Sequence, residues 1–311
     1  MPELPEVATI ANYINEATKS FYLSEISSCN NFFTAELSNI SEALGAIKQP
    51  SVRCTSLGKY LILEQGDDFF YDGNVVAMYF HFGMTGRFVE KSKVTEQPKH
   101  AVLKLHFIDR ANDSIHYEIY FVDERKFGKF FWTLLENEAS PYDYLRGKCN
   151  VGMPATWMGM QLLLNYYNNV PINPNDEREA IIKTILSKRK KWGIKKLLMS
   201  QDLISGIGNY LASEILWSVK VHPLTKVGKL GDEGIRMVLR EAAKICSFMT
   251  NAGGMSMKDF VHPDLSEGDA ADLLKAYGKQ GCKCSRCDSI IEKLTIDGRS
   301  TFICPEEQKN E

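Results

Sequence analysis

Residue 2 of the chain is proline and residue 3 is glutamate. Initiator methionine is generally removed before so small a residue, which would leave Pro2 as a secondary α-amine. An α-amino group titrates at about 7.7–8.0 in model peptides, far below lysine, so an appreciable fraction is a neutral nucleophile near pH 7. A secondary amine that attacks a sugar C1′ yields an iminium ion with no N–H left to lose, and its fixed positive charge is an electron sink for elimination. Glu3 would protonate the sugar ring oxygen as a general acid. The same residues also satisfy a simpler role, since proline and acids both favour a helix start.

Three further constellations bear chemistry. Ser205-Gly-Ile-Gly-Asn-Tyr210 precedes an apolar-periodic run and sets Asn209 at a helix N-cap position. Backbone N–H groups at such a turn favour a phosphate. Between Ala180 and Lys196 stand seven Lys or Arg residues and no acid, which makes a helix–two-turn–helix candidate; an ordinary αα-hairpin with a solvated charged face is the alternative. In the tail, Cys284-Ser-Arg-Cys287 is followed after sixteen residues by Cys304. Three thiols fit a structural zinc site, which usually has four ligands. Residue 307, where a fourth cysteine would complete the set, is glutamate, so Cys282 or Glu307 substitutes, or the unit holds no metal. Asp297-Gly298 between them is a two-residue hairpin signal that puts Arg299 at a tip, within reach of a phosphate. Finally, His81-Phe-Gly-Met-Thr-Gly86 and Asp123-Glu-Arg-Lys-Phe-Gly128 each set an apolar or cationic side chain beside glycine. Such wedges fill the gap left by a flipped base, although they also suit core packing at turns.

The elements that must carry these residues fall into two halves. Val7, Ile10, Ala11, Ile14 and Ala17 predict an amphipathic helix ending near Ser20. Val52–Glu64, Val75–Phe82, Ala101–Ile108 and Ile115–Val122 are β-branched or aromatic-rich and predict strands of a sandwich or barrel. Asn168–Asp176 is rich in Pro and Asn and reads as a linker. Helices are predicted beyond it over Glu177–Lys190, Ile194–Ser200, Asn209–Val219 and Glu233–Met249. The tail from Gly281 is a small cysteine-bearing finger with strands Glu292–Ile296 and Ser300–Ile303.

Composition sets the outer limits. The 311 residues are 44% hydrophobic and 24% charged with a formal net charge of −2, which is ordinary globular composition and excludes disorder, collagen and coiled coil as the main reading. No stretch approaches the roughly 18 apolar residues of a membrane helix. The N-terminus carries acids where a secretory signal would be basic. The expectation is an intracellular protein, cytoplasmic or nucleoid-associated (nuclear if eukaryotic), with no membrane association. Four of eight cysteines lie in the last thirty residues, which in that setting points to metal before disulfides.

Taken together, these segments resemble the formamidopyrimidine-DNA glycosylase and endonuclease VIII family of base-excision repair enzymes. Pro2-Glu-Leu-Pro-Glu-Val7 is similar to the family's start. Gly58-Lys-Tyr-Leu61, His81–Gly86, Arg125–Gly128, Gly206–Tyr210 and Arg299-Ser-Thr-Phe302 are similar to its later motifs, in order. The resemblance implies an α+β chain: an N-terminal helix and β-sandwich catalytic domain over 1–167, a hinge over 168–176, a helix–two-turn–helix DNA-binding domain over 177–280, and a zinc-finger-like β-hairpin over 281–311. It implies Pro2 as nucleophile, Glu3 as general acid, Glu6 in support and Lys59 near the sugar and phosphates. His81, Asn209 and Arg299 would hold phosphates, and Met84, Arg125 and Phe127 would fill the void, Arg125 facing the orphaned base. Lys195 aligns with a lysine that reads an oxidised purine. The implied activity is a bifunctional glycosylase and AP lyase on damaged double-stranded DNA, acting as a monomer. Formamidopyrimidines and 8-oxoguanine are favoured; oxidised pyrimidines, or damaged-DNA binding without turnover, are the alternatives.

The chain departs from the family pattern at several places. Glu124 stands where proline usually precedes the Arg-x-Phe pair, and Glu307 replaces the fourth zinc cysteine. Val261–Ala271, which would cap the flipped base, has no aromatic residue and carries Asp264, Glu267 and Asp269. Glu136–Tyr167 is longer than in typical members.

Overall fold

The computed structural model describes residues 2–47, 50–66, 73–136, 139–159, 176–255 and 261–310. The chain forms two compact units, Met1–Cys149 with Ala252–Asp269, and Asn150–Asn251 with Ala270–Glu311.

In the first unit, helix α1 (Leu4–Ala17) carries Pro5 in its first turn, where the missing N–H costs nothing, and buries Val7, Ile10, Ala11 and Ile14. Two antiparallel four-stranded sheets follow. One has the order β1 (Phe21–Ser28), β6 (Ala101–Asp109), β7 (His116–Val122), β5 (Arg87–Glu90); the other runs β2 (Ser51–Leu57), β3 (Tyr60–Gly66), β4 (Val75–His81), β8 (Lys129–Leu135). Side chains from both sheets and from α1 share one core, including Leu23, Leu61, Met78, Phe80, Phe107, Phe121 and Phe130. The β-rich half is therefore a sandwich. Two short helices, α2 (Ile40–Gly45) and α3 (Pro141–Cys149), complete it.

The expected strand Val52–Glu64 is two strands, β2 and β3, joined by a turn at Gly58-Lys59 with Leu57 paired to Tyr60. The turn needs only two residues, Gly58 and Lys59, and the strand after it is buried throughout. Strands β1, β5 and β8 carry too little alternation to stand out. The segment Ala252–Asp269, placed by sequence with the helical half, belongs to the first unit. Its hydrogen bonds explain this: Glu90 N–H donates to Pro263 O at 2.8 Å, and Met255 N–H donates to Glu6 at 2.8 Å.

The second unit holds α4 (Glu177–Lys188), α5 (Ile194–Leu198), α6 (Asn209–Ser218) and the helical run α7 (Val227–Asn251), broken at Gly231. Arg236 of α7 grips both carboxylate oxygens of Glu179 on α4 at 2.7 Å. Such a buried bidentate pair costs about 3–5 kcal/mol if one partner is removed. The short parallel strands β9 (Met153–Pro154) and β10 (Ile204–Ser205) pair beside the α5–α6 turn. The tail forms the hairpin β11 (Glu292–Ile296) and β12 (Arg299–Ile303), whose turn residues Asp297 and Gly298 both take positive φ, 50° and 71°. These are the conditions of a type I′ turn. The hairpin docks on α6 through Trp217, Ile291 and Phe302. Residues 168–175 of the expected linker lie outside the described residues, as do 137–138 and 160–167 of the long segment. Among the described residues no helix is long and apolar enough to cross a membrane.

Candidate active site and nucleic-acid contacts

The N-terminal residues are enclosed. Pro2 is buried, Glu3 is 3% exposed and Glu6 is 2% exposed. Glu3 is the N-cap of α1, and its backbone N–H donates to Glu6 Oε2 at 2.7 Å, one arm of a capping box. The other oxygen, Oε1, accepts from Met255 N–H at 2.8 Å. Burying a carboxylate is costly unless donors replace water, and here two backbone amides do so. The consequence is positional: Glu6 locks the first turn, and with it Pro2 and Glu3, to the chain at residue 255.

Lys59 lies in the β2–β3 turn and His81 at the end of β4, which pairs with β3 so that His81 faces Tyr60. Their rings stand 4.8 Å apart. Burial, with the nearby charges of Lys59 and Lys129, pushes the His81 pKa down to about 4. Gly83 N–H donates to His81 Nδ1 at 3.1 Å, so Nδ1 carries no proton. His81 is a neutral imidazole whose Nε2–H is the remaining donor, which suits a phosphate oxygen.

The two glycine-bearing loops are knitted into one tip. Thr85 Oγ1 donates to Asp123 Oδ1 at 2.7 Å, Gly128 N–H donates to Asp123 Oδ2 at 2.6 Å, and Arg125 N–H donates to Thr85 Oγ1 at 3.1 Å. Gly83, at φ 58°, comes so close that a Cβ would stand 2.5 Å from the Phe127 carbonyl carbon. This packing pushes three side chains outward together. Met84 is 40% exposed and Phe127 55% exposed, and the Arg125 guanidinium lies 5.2 Å from the Phe127 ring and 3.5 Å from Met84 Sδ. Large exposed apolar side chains gathered with an arginine mark a contact surface. Thr85 and Asp123, which make the tip, are absent from the candidates read from sequence, though each lies inside a flagged loop.

In the second unit, Lys195, Asn209 and the hairpin form one network. Lys195 Nζ donates to Asn209 Oδ1 at 2.8 Å and to Thr301 Oγ1; Asn209 Nδ2 donates to Ser300 O at 2.7 Å. Lys195 is 2% exposed. Its ammonium thus donates to internal acceptors. It is internal because α5 packs its buried side against α6 and the hairpin. Gln201 holds the preceding turn, accepting from Gly206 N–H at 3.0 Å and donating to Ile207 O at 2.7 Å. Lys195 itself, with Lys196, Met199, Ser200, Asp297 and Arg299, lines a cleft of about 250 Å³. Arg299 is exposed there, its guanidinium 3.8 Å from Met199 Sδ.

The Sγ atoms of Cys284, Cys287 and Cys304 lie within 4.8 Å of one another. Burial raises the Cys284 thiol, but donors at the backbone of Arg286 and Cys287 and from Trp217 outweigh it and leave it below its ordinary value. Three converging soft donors fit zinc. Neither expected fourth ligand joins them. Cys282 is exposed and outside the cluster, and Glu307 points to Lys220 Nζ at 2.7 Å, with Arg286 at 4.0 Å.

A buried chain start on a β-sandwich, an exposed Met–Arg–Phe tip and a cationic cleft under a hairpin are the marks of an α+β enzyme that works on nucleic acid. Residues 1–130 match the formamidopyrimidine-DNA glycosylase N-terminal domain, 171–260 the H2TH domain of the same glycosylases, and 281–306 a zinc finger found in FPG and IleRS. The chain is 28% identical over 305 residues to the formamidopyrimidine-DNA glycosylase of Mycoplasma mobile, covering 98% of this chain and 97% of the relative. It is 29% identical over 312 residues to that of Mycoplasmopsis pulmonis, covering 99% and 98%. Among solved structures it is similar to Lactococcus lactis Fpg (MutM) in complex with oxidised-pyrimidine DNA, with TM-score 0.74, 25% identity and coverage of 99% and 100%. It is also similar to MutM in complex with carbocyclic 8-oxo-G DNA, with TM-score 0.72, 26% identity and the same coverage. The chain belongs to the formamidopyrimidine-DNA glycosylase family and is a DNA glycosylase.

Proposed function

We propose that the protein is a bifunctional DNA glycosylase and AP lyase that excises oxidised bases from double-stranded DNA, with formamidopyrimidines and 8-oxoguanine favoured. The observation that carries this reading is the enclosure of Pro2 and Glu3 at a first turn locked by Glu6. After loss of Met1, the Pro2 nitrogen attacks C1′, the bond from C1′ to the base breaks, and the base leaves with the bonding pair and takes up the proton that the Pro2 nitrogen gives up. Glu3 protonates the ring oxygen, the sugar opens and the C1′–N iminium forms. Loss of a proton from C2′ then expels the 3′ phosphate by β-elimination, loss of one from C4′ expels the 5′ phosphate by δ-elimination, and water hydrolyses the iminium to free Pro2 and the sugar remnant, leaving a one-nucleotide gap. Neutral His81, buried Lys59, Asn209 and Arg299 hold phosphates, and Met84, Arg125 and Phe127 fill the void left in the duplex. Zinc on the three thiols would supply a structural cross-link that holds the hairpin, and so Arg299, in place.

Oxidised pyrimidines are the second reading. It is favoured by the acidic loop from Val261 to Ala271, fastened to β5 through Pro263, and by the oxidised-pyrimidine DNA named for the Lactococcus lactis relative. Borohydride trapping on a duplex with one abasic site tests the chemistry without choosing a lesion. A covalent band from protein shown by mass spectrometry to lack Met1, absent in Pro2→Gly, supports the lyase. No band from that protein leaves a DNA-binding relative without turnover. A lesion panel then separates purine from pyrimidine preference.

A further inference from the structure

The three-thiol cluster contains a fourth donor that no cysteine count reveals. Ser289 Oγ lies 3.2 Å from Cys287 Sγ and 3.0 Å from Cys304 Sγ, while those two sulfurs are 3.3 Å apart. We propose that the Ser289 hydroxyl is the fourth zinc ligand, completing a three-sulfur, one-oxygen site with Cys284, Cys287 and Cys304.

The backbone explains why Ser289 is there. Asp288 N–H donates to Cys284 O at 3.1 Å and Cys284 N–H donates to Ser289 O at 2.7 Å, closing a knuckle around the Cys-x-x-Cys pair. Asp288 takes φ 59°, which reverses the chain, and Lys283 bridges Ile290 on the returning arm. Residue 289 is thereby brought back against the same sulfurs that the knuckle presents. In a tetrahedral site with bonds of about 2.0–2.3 Å, ligand atoms stand about 3.3–3.8 Å apart. The sulfur–sulfur distance of 3.3 Å stands at the lower edge of that range and the two oxygen–sulfur distances, 3.2 and 3.0 Å, fall just short of it, a gap that side-chain rotation can supply.

The competing donors are otherwise engaged. Glu307 is held by Lys220, and turning its carboxylate toward the thiols would break that pair and leave the Lys220 and Arg286 cations without it. Cys282 stands ahead of the knuckle and is exposed. A serine hydroxyl carries no charge when protonated and binds zinc less tightly than a thiolate, so the site holds its metal more loosely than a four-cysteine finger would. The hairpin that bears Arg299 is therefore tied to a metal that exchanges.

The test uses the full chain, stripped by chelator and titrated with zinc and with cobalt(II). Wild type takes up one metal, and sulfur-to-cobalt charge-transfer absorption corresponds to three thiolates. Ser289→Ala weakens zinc binding by about tenfold or more, the scale on which metal sites respond to lost support. Ser289→Cys tightens it and raises the charge-transfer absorption by about a third, as four thiolates replace three. Cys282→Ser and Glu307→Gln bind zinc as wild type does. Unchanged affinity in Ser289→Ala, a loss in either of the other two variants, or a wild-type chain that takes up no zinc would each overturn the proposal.

Discussion

Glu6 and Met255 are 249 residues apart in the chain and joined by one hydrogen bond of 2.8 Å, from the Met255 backbone N–H to Glu6 Oε1. The same carboxylate caps α1 through Glu3 N–H. One buried side chain thus sets the position of the chain start relative to the segment that follows α7.

Replacing Glu6 by alanine leaves two buried amides without an acceptor, at about 1–3 kcal/mol each. Glu6→Ala should lower the unfolding free energy by several kcal/mol and speed hydrogen exchange at the Met255 amide. Base excision should fall as well, since Pro2 and Glu3 lose their anchor. Unaltered stability and unaltered Met255 exchange would show that the bond does not carry this load.

His81 supplies a pH signature. Its folded pKa of about 4 lies below the ordinary 6.5, so between those values the unfolded chain binds the extra proton and the native state does not. Stability from this residue is fully present above about pH 6.5 and is lost as pH falls toward 4. Imidazole NMR of the free protein should show His81 titrating near 4, with Nε2–H as the neutral tautomer. A His81 midpoint near 6.5 contradicts the burial and the Lys59 and Lys129 contacts.

The tip formed by Met84, Arg125 and Phe127 should separate function from stability. Its side chains are exposed, so Phe127→Ala should change stability by no more than about 0.5 kcal/mol. Affinity for DNA with an abasic site should fall clearly more than affinity for undamaged duplex. Thr85→Val is the counterpart: it removes the bond to Asp123 and should disorder the tip. Equal losses on damaged and undamaged DNA would assign the tip to backbone contact instead.

Lys195 distinguishes a supporting role from base reading. Lys195→Met removes donors to Asn209 and Thr301 and should destabilise the second unit by about 1.5–3 kcal/mol, the scale of hydrogen bonds to a charged group. Excision of purine and pyrimidine lesions should drop to a similar degree, because Asn209 and the hairpin shift together. A loss confined to oxidised purines would instead assign Lys195 to base reading.

Much of the local structure follows from local signals. The amphipathic face of α1, the helices from Glu177 to Met249 and the Asp297-Gly298 turn all depend on residues close in sequence, and each is found within a few residues of its expected place. The chemistry-bearing types are equally visible, because an N-terminal proline, paired carboxylates and a Cys-x-x-Cys need no partner to be noticed. Strand β5 is less visible, being four residues long with only its middle pair buried, and the β2–β3 turn takes only the two residues between Leu57 and Tyr60.

What tertiary structure alone decides is which distant groups become partners. Local spacing cannot show that Met255 answers Glu6, or that Asp123 answers Thr85. Nor can it show that Lys195 is enclosed by a hairpin more than a hundred residues downstream, or that Glu307 turns to Lys220 while Ser289 turns to the thiols. Each of these is set by burial: a polar group removed from water takes whatever donor or acceptor the packing brings to it, and packing is a property of the whole unit. The residue types and their order were determined by the sequence; their protonation states, their burial and their choice of partner were decided by the fold.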